Sequence, residues 1–406
     1  MTIKLMFLMR DGLPPFRPDV AVLFGKELPK LGVCSDLLGQ QAPESEGGAD
    51  WPAGRLFVHG RIRQGLLSDA LRPLHDLAMV WRLRSEHRIV QVRDKIRSGV
   101  LGLLVARLSG RPFTFWMSFP MAEGFRIRTE QVGRERGLLV LALNRLRAVM
   151  ADRVFYKWLA PRADHLFVQS DTMLDFMAER GVSRQRMTAV PMGVDHEVFA
   201  AVSAPVRRPA ELDGRRVLAY LGVMGRVRES DFLLDVLRRV REEEPTTMLL
   251  LLGDGASPDE QAWLRERIAA SGLSAHVWLT GWLPQEQALS LLKCADLGLS
   301  PIPRGVLFDV SSPTKAVEYL ALGLPCVGND VPDQRQVLES SGAGLCVPMQ
   351  VNAFAGACLR LLRDEAGAAT MARLGPPWVA AHRSYAMLAA QVAQSYEGLL
   401  RRRPAR

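Results

Sequence analysis

Short apolar runs alternate with amphipathic stretches along the whole chain, and glycine closes many of the runs. Ile3 to Met9 is one such run, within residues 2–10; a Gly- and Pro-rich loop follows from Arg10 to Pro18, then an amphipathic segment from Val20 to Leu31 that stops at Gly32. These read as strand, loop and helix. Strands follow at Arg55–His59, Arg88–Val92 and Phe113–Met117, with a helix from about Gly99 to Leu108, while the polar 40–51 stretch reads as a surface loop. A second series, Val217–Leu221, Thr247–Leu252, Val277–Gly281 and Ala295–Ser300, alternates with helices at about Asp231–Arg241 and Glu286–Lys293. Strand, glycine loop and helix in repetition predict an α/β chain of parallel sheets wound with helices.

Between the two series, residues 204–214 carry two prolines and mixed charge and read as a hinge. A chain of 406 residues is longer than one core sustains, so two domains are expected, divided at 204/205. Apolar residues make up 48%, yet no run reaches the roughly 18 needed to cross a bilayer, and no leader pattern of charge, apolar core and small residues opens the sequence. Five cysteines, Cys34, Cys294, Cys326, Cys346 and Cys358, have neither close pairing nor histidine spacing, which points to a reducing cytosol and away from disulfides or zinc. The seven histidines show no metal spacing either.

The densest chemistry is Ser311-Ser312-Pro313-Thr314-Lys315-Ala316-Val317-Glu318-Tyr319, followed by a helix end at Gly323 and a short strand, Leu324 to Gly328. Ser311 or Ser312 is a candidate helix cap and Pro313 suits the first helical position. Lys315 falls in the first turn, where unpaired N–H groups and the helix dipole attract anions. Glu318 lies one turn beyond Thr314 on the same face, placed to accept a pair of ribose hydroxyls from a ligand whose phosphates rest on the helix N-terminus. Upstream, Gly222 closes a strand and Val223-Met224-Gly225-Arg226-Val227-Arg228 follows: glycines that let backbone approach a phosphate, beside two arginines. Thr247–Leu252 is closed in turn by Gly253-Asp254-Gly255. Each piece alone also reads as a capped helix or a solvated loop charge; their succession in one half of the chain favours a diphosphate site.

In that order the pieces resemble the C-terminal half of a GT-B glycosyltransferase of the large retaining family 4, the glycosyl transferases group 1. The matching parts are the basic Gly-rich turn, Gly253-Asp254-Gly255, Thr280-Gly281, and the Pro-x-Lys-x-x-Glu-Tyr helix before Gly323-Leu324-Pro325. The resemblance extends through Ala163–Ser170, Val190–Phe199, Trp378 and Ser384-Tyr385. It implies two Rossmann-like doubly wound domains facing across a cleft: 1–204 for the acceptor, completed by a C-terminal helix at about 380–406 that crosses back, and 205–379 for the donor. It also implies retaining transfer from a nucleotide-diphosphate sugar to a glycan or lipid-linked acceptor in polysaccharide or cell-envelope assembly, without cofactor or metal. Under it Lys315 and Arg228 stabilise the leaving diphosphate, with Arg226 competing for the second role, and Glu318 takes the ribose hydroxyls. Gly222, Gly253, Ser311, Ser312, Pro313 and Thr314 complete the donor site.

The chain departs from the family pattern in three places. A second Glu is usual eight positions before the one matched by Glu318; Val310 stands there, so either the adjacent Asp309 takes the role after a one-residue shift of the loop, or the backbone N–H groups of Ser311 and Ser312 read the sugar hydroxyls. An Arg is usual at Val223, a place Arg226 would fill from farther along the loop. Where relatives carry an acceptor-side His, this chain has Ser118-Phe119-Pro120, which leaves Asp94 and Glu123 as candidates for a base, against the plainer reading of carboxylates capping local turns. These departures keep open a catalytically idle nucleotide-sugar-binding partner subunit; a second alternative is another GT-B nucleotide-sugar enzyme such as an epimerase, which would need acid/base carboxylates in the cleft and no sugar acceptor.

Formal charge is +9, and arginines cluster from Arg126 to Arg162 around the apolar Gly137–Leu143. Two readings stand. One is a helix lying on an anionic membrane at the cytoplasmic leaflet, the other a core-packing helix with solvated basic ends. No nucleic-acid module accompanies the charge, so nucleic acid is not an expected partner. The expected location is the cytoplasm, at the inner face of the cell membrane under the first reading.

Overall fold

The computed structural model of the protein describes residues 2–41, 50–61, 66–133, 138–202 and 208–402. Most of the expected 40–51 loop, the start of the expected hinge, and Arg134, Arg136 and Gly137 of the basic cluster lie outside them. The chain forms two compact units, Met1–Met192 with Tyr385–Arg406, and Gly193–Ser384. The division falls after Met192 instead of at 204/205 because the intervening segment is built into the second unit. Val194 bridges to Ser384, and Phe199 and Val202 are buried with Leu212 and Val217.

The first unit carries seven parallel strands, β1 (Ile3–Leu8), β2 (Val33–Gln41), β3 (Leu56–Arg61), β4 (Ile89–Arg93), β5 (Phe113–Met117), β6 (His165–Val168) and β7 (Met187–Ala189), in the order β3-β2-β1-β4-β5-β6-β7. The second carries six, β8 (Arg216–Leu221), β9 (Thr247–Leu252), β10 (Val277–Leu279), β11 (Leu297–Ser300), β12 (Cys326–Gly328) and β13 (Gly344–Cys346), in the order β10-β9-β8-β11-β12-β13. Continuous apolar runs suit strands buried on both faces, and the second sheet shows it. Leu218, Tyr220, Leu249 and Leu251 join one core with Leu237 and Phe354, while Val217, Ala219, Leu250 and Leu252 join another with Leu292 and Val317.

The helix Tyr385–Arg402 returns to the first unit, as the resemblance implies. Leu388, Val392, Tyr396 and Leu399 form its buried stripe, and the Tyr396 ring lies 5.2 Å from that of Phe167. The basic helix is a different case. Across residues 141–152 of the Leu138–Asp152 helix only Ala148 is buried, so the core-packing reading fails there: Leu143, Leu146, Val149 and Met150 are exposed among the described residues.

In each sheet the strand order reverses between two neighbours, β1 and β4 in the first, β8 and β11 in the second. Chain connections leave in opposite directions at such a point, opening a crevice beyond the C-terminal strand ends where α/β proteins bind ligands.

Candidate active site

In the second unit, β8 runs into Gly222, whose N–H donates to Leu252 O at 2.8 Å. Gly222 has φ +121°, and a β-carbon there would sit 3.5 Å from Lys315 Cε. Gly253, closing β9 with φ +127°, packs so tightly that its β-carbon would meet Gly222 O at 2.4 Å. Both positions favour glycine by their positive φ, and Gly253 requires it on steric grounds as well. The result is bare backbone beside an ammonium group.

Lys315 belongs to the helix Thr314–Ala321. Its Nζ lies 4.9 Å from the Tyr220 ring centroid and makes no salt bridge or hydrogen bond among the described residues. Pro313 is the residue before this helix, with extended φ −70° and ψ 134°, instead of its first member, and neither serine caps it. Ser311 Oγ donates to Phe308 O at 2.7 Å and Ser312 Oγ to Asp333 Oδ2 at 2.7 Å, so both hydroxyls are occupied elsewhere. The first-turn N–H groups consequently have no side-chain cap competing with an anion.

Of the two arginines, Arg226 is engaged: its N–H and Nη1 reach Glu260 at 2.9 and 3.0 Å, and its guanidinium lies 5.2 Å from the Trp263 ring. Arg228 is half-buried, and its guanidinium has no hydrogen bond or ion pair among the described residues. The geometry thus separates the two competitors. Asp309, the substitute for the missing Glu, is paired with Arg304 at 2.6 Å, and Val310 beside it is buried.

Glu318 lies on the same helix as Lys315, with no hydrogen-bond partner for its carboxylate among the described residues. Burial pushes its carboxyl above the ordinary range and Lys315 pulls it back. Next to it, the Tyr319 hydroxyl accepts the Leu221 N–H at 3.0 Å and donates to Leu299 O at 3.0 Å. It thereby completes the ladder where β8 and β11 part, a step that needs its ring flat against Gly298. Lys315 and Glu318 are fixed to the crevice by that tyrosine.

In the first unit, Asp94 follows β4 with φ +51° and is buried. Its carboxylate accepts from the Ser118 N–H at 2.9 Å and from the Ser118 hydroxyl. Burial pushes it above the ordinary range, against the pull of Arg93. Arg93, fully buried and 2.6 Å from Asp19, escapes the sequence reading; its signal is a cation directly after the strand residues Ile89–Val92, followed by the carboxylate of Asp94. Glu123 is corrected: Tyr156 donates to one of its oxygens at 2.5 Å and Arg180 approaches the other at 3.4 Å, so this buried carboxylate is committed to holding its neighbours. The fold also gathers His59, His75 and Asp76, which the linear spacing hides. The Asp76 carboxylate there already carries Lys95 as its cation, at 2.5 Å.

Residues 215–364 match the family model described as glycosyl transferases group 1, and residues 20–193 match that of a glycosyl transferase 4-like domain. A phosphatidyl-myo-inositol mannosyltransferase of Mycolicibacterium smegmatis is 30% identical over 178 residues, 43% of each chain. The chain spans less than half the length of that curated relative. Among solved structures, a sucrose-phosphate synthase from Thermosynechococcus elongatus has a TM-score of 0.74 at 19% identity, covering 98% of this chain and 100% of that one. An Anabaena protein solved with UDP-glucose has a TM-score of 0.72 at 15% identity, covering 98% and 100%. These likenesses give the fold, GT-B.

Proposed function

The chain belongs to the glycosyl transferases group 1 family, with a glycosyl transferase 4-like first half, and on that premise we propose that it is a retaining glycosyltransferase. It moves a sugar from a nucleotide-diphosphate sugar to a glycan or lipid-linked acceptor in polysaccharide or cell-envelope assembly. Lys315 and Glu318 carry the proposal: an ammonium and a carboxylate that offset each other only through space, and that make no hydrogen bond or ion pair among the described residues, share one helix at the β8/β11 crevice, the groups that a diphosphate and a ribose would complete. The Anabaena neighbour solved with UDP-glucose supports a nucleotide sugar as the ligand.

Breaking the bond from sugar to diphosphate leaves negative charge on the departing phosphates. Lys315, Arg228 and the first-turn N–H groups stand ready to neutralise it before any rearrangement, which is where such sites gain most of their rate. Asp94 is the remaining candidate for the acceptor proton, and its raised carboxyl suits a base. A thermal-shift panel of nucleoside diphosphates and nucleotide sugars tests the donor reading. A ligand at 100 times its Kd raises stability by about 2.7 kcal/mol, so one base should stand out. A folded protein that responds to none contradicts it.

For the acceptor we propose a lipid-linked substrate reached at the cytoplasmic membrane face. On the Leu138–Asp152 helix, Leu143, Leu146 and Met150 are exposed by 54, 60 and 56%, at spacings that share one face, with Arg145 and Arg147 exposed beside them. No helix among the described residues is long and apolar enough to cross a membrane. Each basic residue near an anionic surface contributes about 1 kcal/mol, so Arg145→Glu with Arg147→Glu should weaken binding to phosphatidylglycerol vesicles more than about tenfold, at unchanged Tm. Co-sedimentation of the double variant at the wild-type level would contradict this surface.

A further inference from the structure

Arg383 belongs to no motif of the donor site, yet it is only 5% exposed, as is Asp333, while Ser312 is 6% exposed. Arg383 Nη2 donates to Asp333 Oδ1 at 2.8 Å, and Nη1 reaches Asp333 Oδ2 and Ser312 Oγ, each at 3.3 Å. Ser312 Oγ donates in turn to Asp333 Oδ2 at 2.7 Å. Three segments meet in this ring: the loop before the Thr314–Ala321 helix, the start of the Pro332–Ser341 helix, and the end of the Glu365–His382 helix. The Arg383 carbonyl also accepts the Val194 N–H at 2.9 Å, and Val194 pairs with Ser384. Gly193 and Ser384 are the first and last residues of the second unit, so the ring stands where the chain enters that unit and leaves it.

A buried ion pair is weak evidence for stability, because apolar side chains of similar volume often serve as well; fixing a register is its best-attested use. The register held here is that of Ser312, on which the placement of Lys315 and the first helical turn depends. Resting on the donor reading above, we propose that Arg383 is a positioning residue of the donor site, acting through Asp333 on Ser312 to present Lys315 and the helix N–H groups to a diphosphate.

Hydrogen exchange of the full-length protein, read on peptides covering 308–318, together with calorimetric titration of inorganic pyrophosphate, tests it in wild type, Ser312→Ala, Arg383→Lys and Arg383→Met. Ser312→Ala is the mild variant, since it removes the tie to the loop and leaves the Arg383–Asp333 pair in place. Losing a hydrogen bond to a charged group should speed exchange at 312–316 about tenfold in Ser312→Ala and more in Arg383→Met, with Arg383→Lys between wild type and Arg383→Met. Pyrophosphate affinity should fall in the same order, with exchange in β8 and β9 of Ser312→Ala unchanged. Wild-type exchange at 312–316 in Ser312→Ala overturns the tie, and faster exchange with wild-type pyrophosphate affinity overturns the positioning role. A wild type that binds neither pyrophosphate nor any nucleotide, with exchange as expected, removes the donor reading and the positioning role, and leaves the tie.

Discussion

With Lys315 replaced by alanine, kcat/KM for sugar transfer is expected to fall by about 10²–10³-fold, the scale seen when one preorganised group is removed from a developing anion. The ammonium group makes no hydrogen bond or ion pair among the described residues and rests against the Tyr220 ring, beside backbone that Gly222 leaves bare. Its charge is offset only through space, by Glu318 one turn on, until a phosphate arrives. Arg226→Ala is the matched control: that guanidinium is already paired with Glu260, so its loss should cost less than about tenfold, near what a half-exposed ion pair is worth. Arg228→Ala should fall between the two, because the Arg228 guanidinium is unpaired among the described residues but sits on a short turn and not on an α-helix. Steady-state kinetics with the donor selected by the thermal-shift panel checks the order. A Lys315→Ala enzyme within threefold of wild type would contradict the assignment of the diphosphate to this helix.

The candidate site of the second unit is legible in sequence because its pieces are local. Gly222, Gly253, Lys315 and Glu318 sit at strand ends and on one helix turn, and both period and punctuation survive in the linear order. What escapes is whatever depends on partners far along the chain. β2 is invisible to pattern reading because Ser35 and Asp36 interrupt it, yet both are buried. Burial pushes the Asp36 carboxyl up, but hydrogen bonds from His87 and Arg55 prevail and hold it well below the ordinary range. A polar residue satisfied from two other segments looks, in one dimension, like a loop. Glu123 fails for the same reason, its partners Tyr156 and Arg180 being distant in sequence. The serines before Lys315 are misread as caps because their acceptors, Phe308 O and Asp333, are set by the fold.

Glu318→Gln should raise the stability of the ligand-free protein at neutral pH while weakening nucleotide binding by about tenfold or more, the worth of a hydrogen bond to a charged group. The two effects have one cause. Glu318 holds a carboxylate that burial disfavours and that nothing but Lys315 compensates, so its folded-state pKa lies above its unfolded value. Stability from such a group is fully present below the unfolded carboxylate pKa and is lost as pH rises through the folded one. Above the unfolded value the penalty grows as pH rises, and removing the charge relieves it. The stability difference between variant and wild type should accordingly shrink as pH is lowered towards the ordinary carboxylate value. Ribose hydroxyls would supply the missing donors, which is why the same carboxylate that costs stability in the free protein gains affinity for nucleotide. Inorganic pyrophosphate, lacking a ribose, should bind Glu318→Gln as it binds wild type, in contrast to Lys315→Ala, which should lose both ligands. Thermal melts from pH 4 to 8 with and without nucleotide check the pair of effects. A Glu318→Gln protein that is less stable at neutral pH, yet keeps its full nucleotide shift, would show that the carboxylate serves the fold and not the ribose.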